Sequence, residues 1–250
     1  MTGMLFIDEY FSEVSESLDS SNGEHGVSEA DPQNRLQELD QQILQSPDRA
    51  DLRNRRGYLL VVLDRVEDAI ADFNAAICLD RSLSEAWCNR GYAYLLQDAF
   101  LSTKRDTTKA LKICPGFAVA LQIRGMASAA SGNPAEAERD LIAAVEADPD
   151  LVASWHSLGT VRTLRAEFSG AISAFDEALT RKPDDSLTLY SRAFALMSSG
   201  QLKQAIADLN RALLIDPLSR DALFQRANIH RAQGDFVRAA DDHSAALEID

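Results

Sequence analysis

Five of the seven prolines, Pro47, Pro115, Pro149, Pro183 and Pro217, fall on one grid of 34 residues, and Arg81 occupies the vacant place. Proline has no N–H to donate and crowds the turn before it, so each grid point marks a helix stop. Small residues keep the same register. Five places before every stop stands an alanine (Ala76, Ala110, Ala144, Ala178, Ala212, Ala246), and twelve before stand Ala69, Ala137, Ala171, Ala205 and Ala239, with Thr103 the exception. Gly57, Gly91, Gly125 and Gly159, then Ala193 and Ala227, recur on the same spacing. Small residues at fixed places let two helices approach closely. The large residue that fills such a pair is Phe73, Leu141, Phe175 or Leu209, but Thr107 and His243 in two units. A chain built this way stacks one supersecondary unit on the next, each burying its neighbour's apolar face.

The unit from Trp155 to Pro183 carries the pattern most fully: Trp155, Leu158, Gly159, Ala171, Phe175, Ala178 and Pro183, with Arg162 where an aromatic is expected. In residue types and period it resembles the tetratricopeptide repeat family. The resemblance implies an all-α, right-handed α-solenoid of six helix-turn-helix units, 50–83, 84–117, 118–151, 152–185, 186–219 and 220–250. An A helix is expected over positions 1–14 of each unit and a B helix over positions 17–30. Residues 31–49, with Leu36, Leu39, Ile43 and Leu44 before Pro47, read as a degenerate half-repeat capping the stack. Gly132, Gly200 and Gly234 are placed for A–B turns, where a helix ends in the left-handed region. The second repeat, with Thr103 and Thr107 at core places, is expected to be locally loose.

Position 7 of the repeat is Arg56, Arg90, Arg124, Leu158, Arg192 and Arg226, and position 23 is Asp72, Asp106, Asp140, Ala174, Asp208 and Asp242. The arginine and the aspartate vanish together, in the fourth repeat. Pairing between neighbouring repeats would strand Asp140 and Arg192. Five ion pairs are therefore expected, each joining helix A to helix B of its own repeat.

Eight of the 39 acids and none of the 25 Lys and Arg residues lie in residues 1–31. Residues 1–30 thus read as an acidic disordered segment. Its exception is Met4-Leu5-Phe6-Ile7, followed by Tyr10 and Phe11. This is too short for a span or a signal sequence. The net charge of −14 without a basic stripe argues against nucleic acid and anionic membrane as partners. Three cysteines without ligand spacing point to no metal and to a reducing, cytoplasmic setting. No phosphate loop, dinucleotide fingerprint or zinc motif occurs, so neither a cofactor nor an enzymatic activity is expected. His156 and Ser157 are adjacent, but neighbours on a helix point apart and make no catalytic pair.

What remains is binding. In the tetratricopeptide family, positions 2, 5, 6, 9, 12 and 13 of helix A line a concave groove. Carried over residue by residue, this gives Asn54 and Tyr58 from the first repeat, Asn89 and Tyr92 from the second, and Ile123 and Met126 from the third. The fourth repeat offers His156, the fifth Tyr190 and Phe194, and the sixth Phe224. The family's clamp for acidic chaperone tails needs cations; the places here hold Asn54, Tyr58, Asn89, Val119 and Ile123, and only Asn89 matches. The resemblance therefore implies a non-enzymatic adaptor that binds an apolar peptide or amphipathic helix. Two alternatives stand beside it: a homo-oligomeric scaffold assembling through Phe236, Val237, Ala240 and Leu247 of the last helix, and a regulatory module of a larger protein. Leu5, Phe6, Ile7 and Tyr10 are candidates for docking in the chain's own groove.

Overall fold

A computed structural model describes residues 32–249. The N-terminal acidic segment and its apolar motif lie outside the described residues. Among these, the chain forms thirteen α-helices and no strand. A first helix, α1 (Pro32–Gln45), is followed by six A–B pairs: α2 (Ala50–Val62) and α3 (Val66–Leu79), α4 (Ser84–Leu96) and α5 (Phe100–Ile113), α6 (Ala118–Ala130) and α7 (Pro134–Ala147), α8 (Val152–Leu164) and α9 (Phe168–Arg181), α10 (Ser186–Ser198) and α11 (Leu202–Ile215), α12 (Arg220–Ala232) and α13 (Phe236–Glu248). They form two compact units, one ending at Asp148 and one beginning at Pro149. In both, each A helix packs on its own B helix and each B helix on the A helix that follows within the unit. This is the all-α solenoid architecture.

Close approach within a pair depends on the missing Cβ of the repeated glycine. A Cβ built on Gly57 would lie 2.7 Å from the Phe73 ring, and one on Gly159 would lie 2.5 Å from the Phe175 ring. Both rings are essentially fully buried. Leu141 replaces the ring in the third repeat and still faces a glycine, a Cβ on Gly125 lying 2.9 Å from it; in the repeats with Leu209 and His243 the glycine's place in the register is taken by Ala193 and Ala227. Trp87 and Trp155 hold the turn that precedes their helices. Their indole N–H groups donate to the carbonyls of Arg81 and Pro149 at 3.0 and 2.8 Å.

All six A–B turns put position 15 in the left-handed region. Gly132, Gly200 and Gly234 take it at φ 79–81°, and Asp64, Asp98 and Ala166 at 55–58°. The expected looseness of the second repeat is not found. Thr103 and Thr107 are fully buried, and the Thr107 hydroxyl donates to the Thr103 carbonyl at 2.7 Å. A hydroxyl that bonds back to its own helix can stand in an apolar seam without an unmet partner.

All five expected Arg–Asp pairs are present. Arg56–Asp72, Arg90–Asp106, Arg192–Asp208 and Arg226–Asp242 close at 2.6 Å and Arg124–Asp140 at 2.7 Å. Four are bidentate, Nε and Nη2 each reaching one carboxylate oxygen. Arg90 keeps a single bond to Asp106, whose other oxygen accepts from Arg105. Hydrogen bonding to the aspartate holds Arg56, Arg124, Arg192 and Arg226 above the ordinary arginine range, against the pull of burial.

Each arginine also has a second partner. Its Nη1 donates to position 25 of the preceding repeat: Arg56 to Asp40, Arg90 to Asn74, Arg124 to Thr108, Arg192 to Asp176 and Arg226 to Asn210. One guanidinium therefore ties three helices, its own A and B and the previous B. The fourth repeat has Leu158 in place of the arginine, and position 25 of the third repeat is Ile142. All the polar members of the set are absent there together.

Candidate peptide-binding faces

In the unit ending at Asp148, the A helices are α2, α4 and α6. Asn54 on α2 and Asn89 on α4 are joined directly, the Asn89 amide donating to Asn54 Oδ1 at 3.0 Å. Tyr58 and Met126 are half-buried. Tyr92 and Ile123 are not open surface, at 2% and 0% exposed. Both are enclosed, so the repeat register names positions on a helix without saying which of them reach the surface. Cys88 and Gln122, at position 5 of the second and third repeats, are also buried. Burial pushes the Cys88 thiol well above its ordinary range.

In the unit beginning at Pro149, the A helices are α8, which carries His156, α10, which carries Tyr190 and Phe194, and α12, which carries Phe224. Phe194 is 40% exposed. Tyr190 and Phe224 are half-buried and pack on the leucine and alanine core of α10–α13. Tyr190 is hydrogen-bonded to the Gln225 side chain; burial and the Asp221 charge push its phenol up, and the Gln225 bond opposes them. Gln225 Oε1 is enclosed and has no hydrogen-bond partner among the described residues. Phe224 stands against His243, ring centroids 5.5 Å apart, and the Arg220 guanidinium lies 5.8 Å from the Phe224 centroid.

His156 forms a separate polar knot. Its Nδ1 lies 3.0 Å from Thr188 Oγ1, and its ring stands 5.5 Å from Phe175. Asp185 caps α10 by accepting from the Thr188 N–H at 2.8 Å. Burial pulls His156 down to about 4, and the Asp185 charge only partly opposes it. The histidine is therefore neutral at pH 7, and its Nδ1 is engaged with Thr188. Among the described residues no group of His, Cys, Asp and Glu is arranged to hold a metal, and no helix is long and apolar enough to cross a membrane.

Sequence comparison matches residues 124–186 and 190–250 to the tetratricopeptide repeat family. With the helix pairs, glycine contacts and turn register described above, that match decides the family. The chain is a tetratricopeptide repeat protein. It is 36% identical over 102 residues to Protein FlbA of Caulobacter vibrioides, covering 40% of this chain and 17% of that protein. Over 177 residues it is 27% identical to the DnaJ homolog subfamily C member 7 homolog of Schizosaccharomyces pombe, covering 64% of this chain and 37% of that one. The tetratricopeptide chain thus spans well under half the length of these relatives. Among solved structures, the hetero-tetramer Cut9–Hcn1 of the APC/C superposes with a TM-score of 0.76 at 17% identity, over 86% of this chain and 43% of that one. At that identity the likeness shows the fold alone. Tetratricopeptide repeats generally act as protein-interaction modules, and the fold found here suits protein partners.

Proposed function

We propose that this protein is a non-enzymatic adaptor that binds an apolar peptide or amphipathic helix on the concave face of its A helices. The observation that carries the reading is Phe194. It is an aromatic ring 40% exposed on a helix whose other large side chains are buried or half-buried, and the same helix carries half-buried Tyr190. Rigid aromatics supply anchor area at small entropic cost, and amides hold the extended backbone between anchors. The Asn54–Asn89 pair offers the same backbone chemistry on the other unit. Neutral His156 and the missing clamp cations favour an apolar ligand over an acidic tail. A displayed-peptide selection on the full chain tests this. Enrichment of a motif with an aromatic or aliphatic anchor supports the adaptor, and a selection without enrichment contradicts it.

A second reading rests on α13, where Phe236, Val237 and Leu247 are 69%, 73% and 68% exposed. Such a face suits self-association. Light scattering over a concentration series reads it, a monomer at every concentration counting against it and a dimer abolished by Val237→Lys supporting it.

A further inference from the structure

Within the unit beginning at Pro149, an open cleft of about 330 Å³ lies between α11, α12 and α13, and its lining includes none of Tyr190, Phe194 and Phe224. Its walls are polar. Asn210 comes from α11, Arg226 and His230 from α12, and Arg238, Asp241 and Asp242 from α13. His230 is 7% exposed, and its ring makes no hydrogen bond among the described residues. A buried imidazole needs a partner for each ring nitrogen, and this one borders a space from which a ligand can supply it.

The repeat scaffold does not require these side chains. The fifth repeat builds the same guanidinium tie, Arg192 with Asp208 and Asp176, beside Leu196, Gln204 and Ala207 at positions 11, 19 and 22. Leu196 is 3% exposed there and belongs to the apolar core. In the fourth repeat Arg162 stands at position 11 and donates to the carbonyl of Gly170, position 19, at 3.2 Å, so that side chain spans the equivalent place itself. The sixth repeat has His230, Arg238 and Asp241 at the three positions, and the place stays open.

The unused hydrogen-bonding groups select the ligand. Arg226 engages both Asp242 oxygens and donates through Nη1 to Asn210 Oδ1. Two of its five N–H groups and the Asn210 amide N–H groups remain as donors. Arg238, 71% exposed, has one contact, to Asp235 at 3.5 Å. Asp241, one turn further along α13, makes no ion pair among the described residues. The two arginines and two aspartates of the lining balance. A simple anion meets repulsion from Asp241 and a simple cation from Arg238, whereas a ligand with both charges meets neither.

We propose that this cleft binds a small zwitterion of the class of a free α-amino acid, its carboxylate held by Arg226, Asn210 and Arg238, its ammonium by Asp241, and His230 hydrogen-bonded to it from beneath. The site is independent of any peptide on the A helices.

The test is an NMR titration of the full chain with L-glutamine, acetate and methylammonium, read at the His230 imidazole, whose resonances are those lost in His230→Leu. The proposal predicts a saturable shift with L-glutamine and at least tenfold weaker binding of either single ion. No shift at His230 with L-glutamine, or equal affinity for acetate or methylammonium, overturns it. Calorimetry then compares the unsubstituted chain with His230→Leu and Asp241→Ala, which introduce the fifth repeat's own residues, folding being checked by circular dichroism. At least tenfold weaker L-glutamine binding is expected in each; full affinity in either folded variant overturns the assignment.

Discussion

His156 and Ala166 are single residues whose environments set measurable energies. His156 is held neutral in the folded chain, pulled from 6.5 to about 4 by burial. As pH falls through 6.5 the unfolded chain takes up this proton and the folded chain does not, so stability falls between about pH 6.5 and pH 4 and levels off below. At this half-buried site the loss is up to about 2 kcal/mol. His156→Gln removes that part of the slope. Chemical denaturation at pH 7 and pH 4.5 checks it, the variant losing less stability than the parent between the two. Ala166 takes φ 58° where three other turns have glycine. A Cβ in the left-handed region costs about 1 kcal/mol, so Ala166→Gly is expected to raise stability by about that amount, read as a higher Tm. The Arg–Asp pairs were legible in the sequence because both members change together at Leu158 and Ala174. Their third member was not, because position 25 is variously Asp, Asn or Thr and any acceptor serves. The usable signal was its loss, Ile142 preceding the repeat that has no arginine.

At the scale of the helix, the guanidinium at position 7 is the tie between successive pairs. Arg192 is about one-fifth exposed and Asp208 less than one-tenth, whereas Asp176 is half exposed. Arg192→Met leaves the Asp208 carboxylate shielded without its cation and is expected to destabilise by about 2–4 kcal/mol. Asp176→Asn removes only the exposed arm and is expected to cost about 0–1 kcal/mol. Urea denaturation of the two variants compares these directly; equal losses contradict the asymmetry. Helix pairing itself was plain from the 34-residue register, since Gly57 facing Phe73 and Gly159 facing Phe175 leave one way to bring the helices together. The firmness of the second repeat was not plain. Thr103 and Thr107 look polar in sequence, and only the helix geometry shows that their hydroxyls bond back to their own turn.

For the whole molecule, the sequence register assigns each A-helix residue a side but says nothing of what covers it. Tyr92 and Phe194 share a register position, yet one is buried and the other open. The candidate site was therefore legible as a list of positions and illegible as a surface. The adaptor reading depends on the proposed face that carries Tyr190, Phe194 and Phe224. The decisive measurement is the affinity of a selected peptide for the full chain and for its Tyr190→Ala, Phe194→Ala variant, each verified to be folded by circular dichroism. Losing two aromatic anchors is expected to weaken binding by at least tenfold, about 1.4 kcal/mol or more. Unchanged affinity in a folded double variant contradicts the account and moves the ligand off this face.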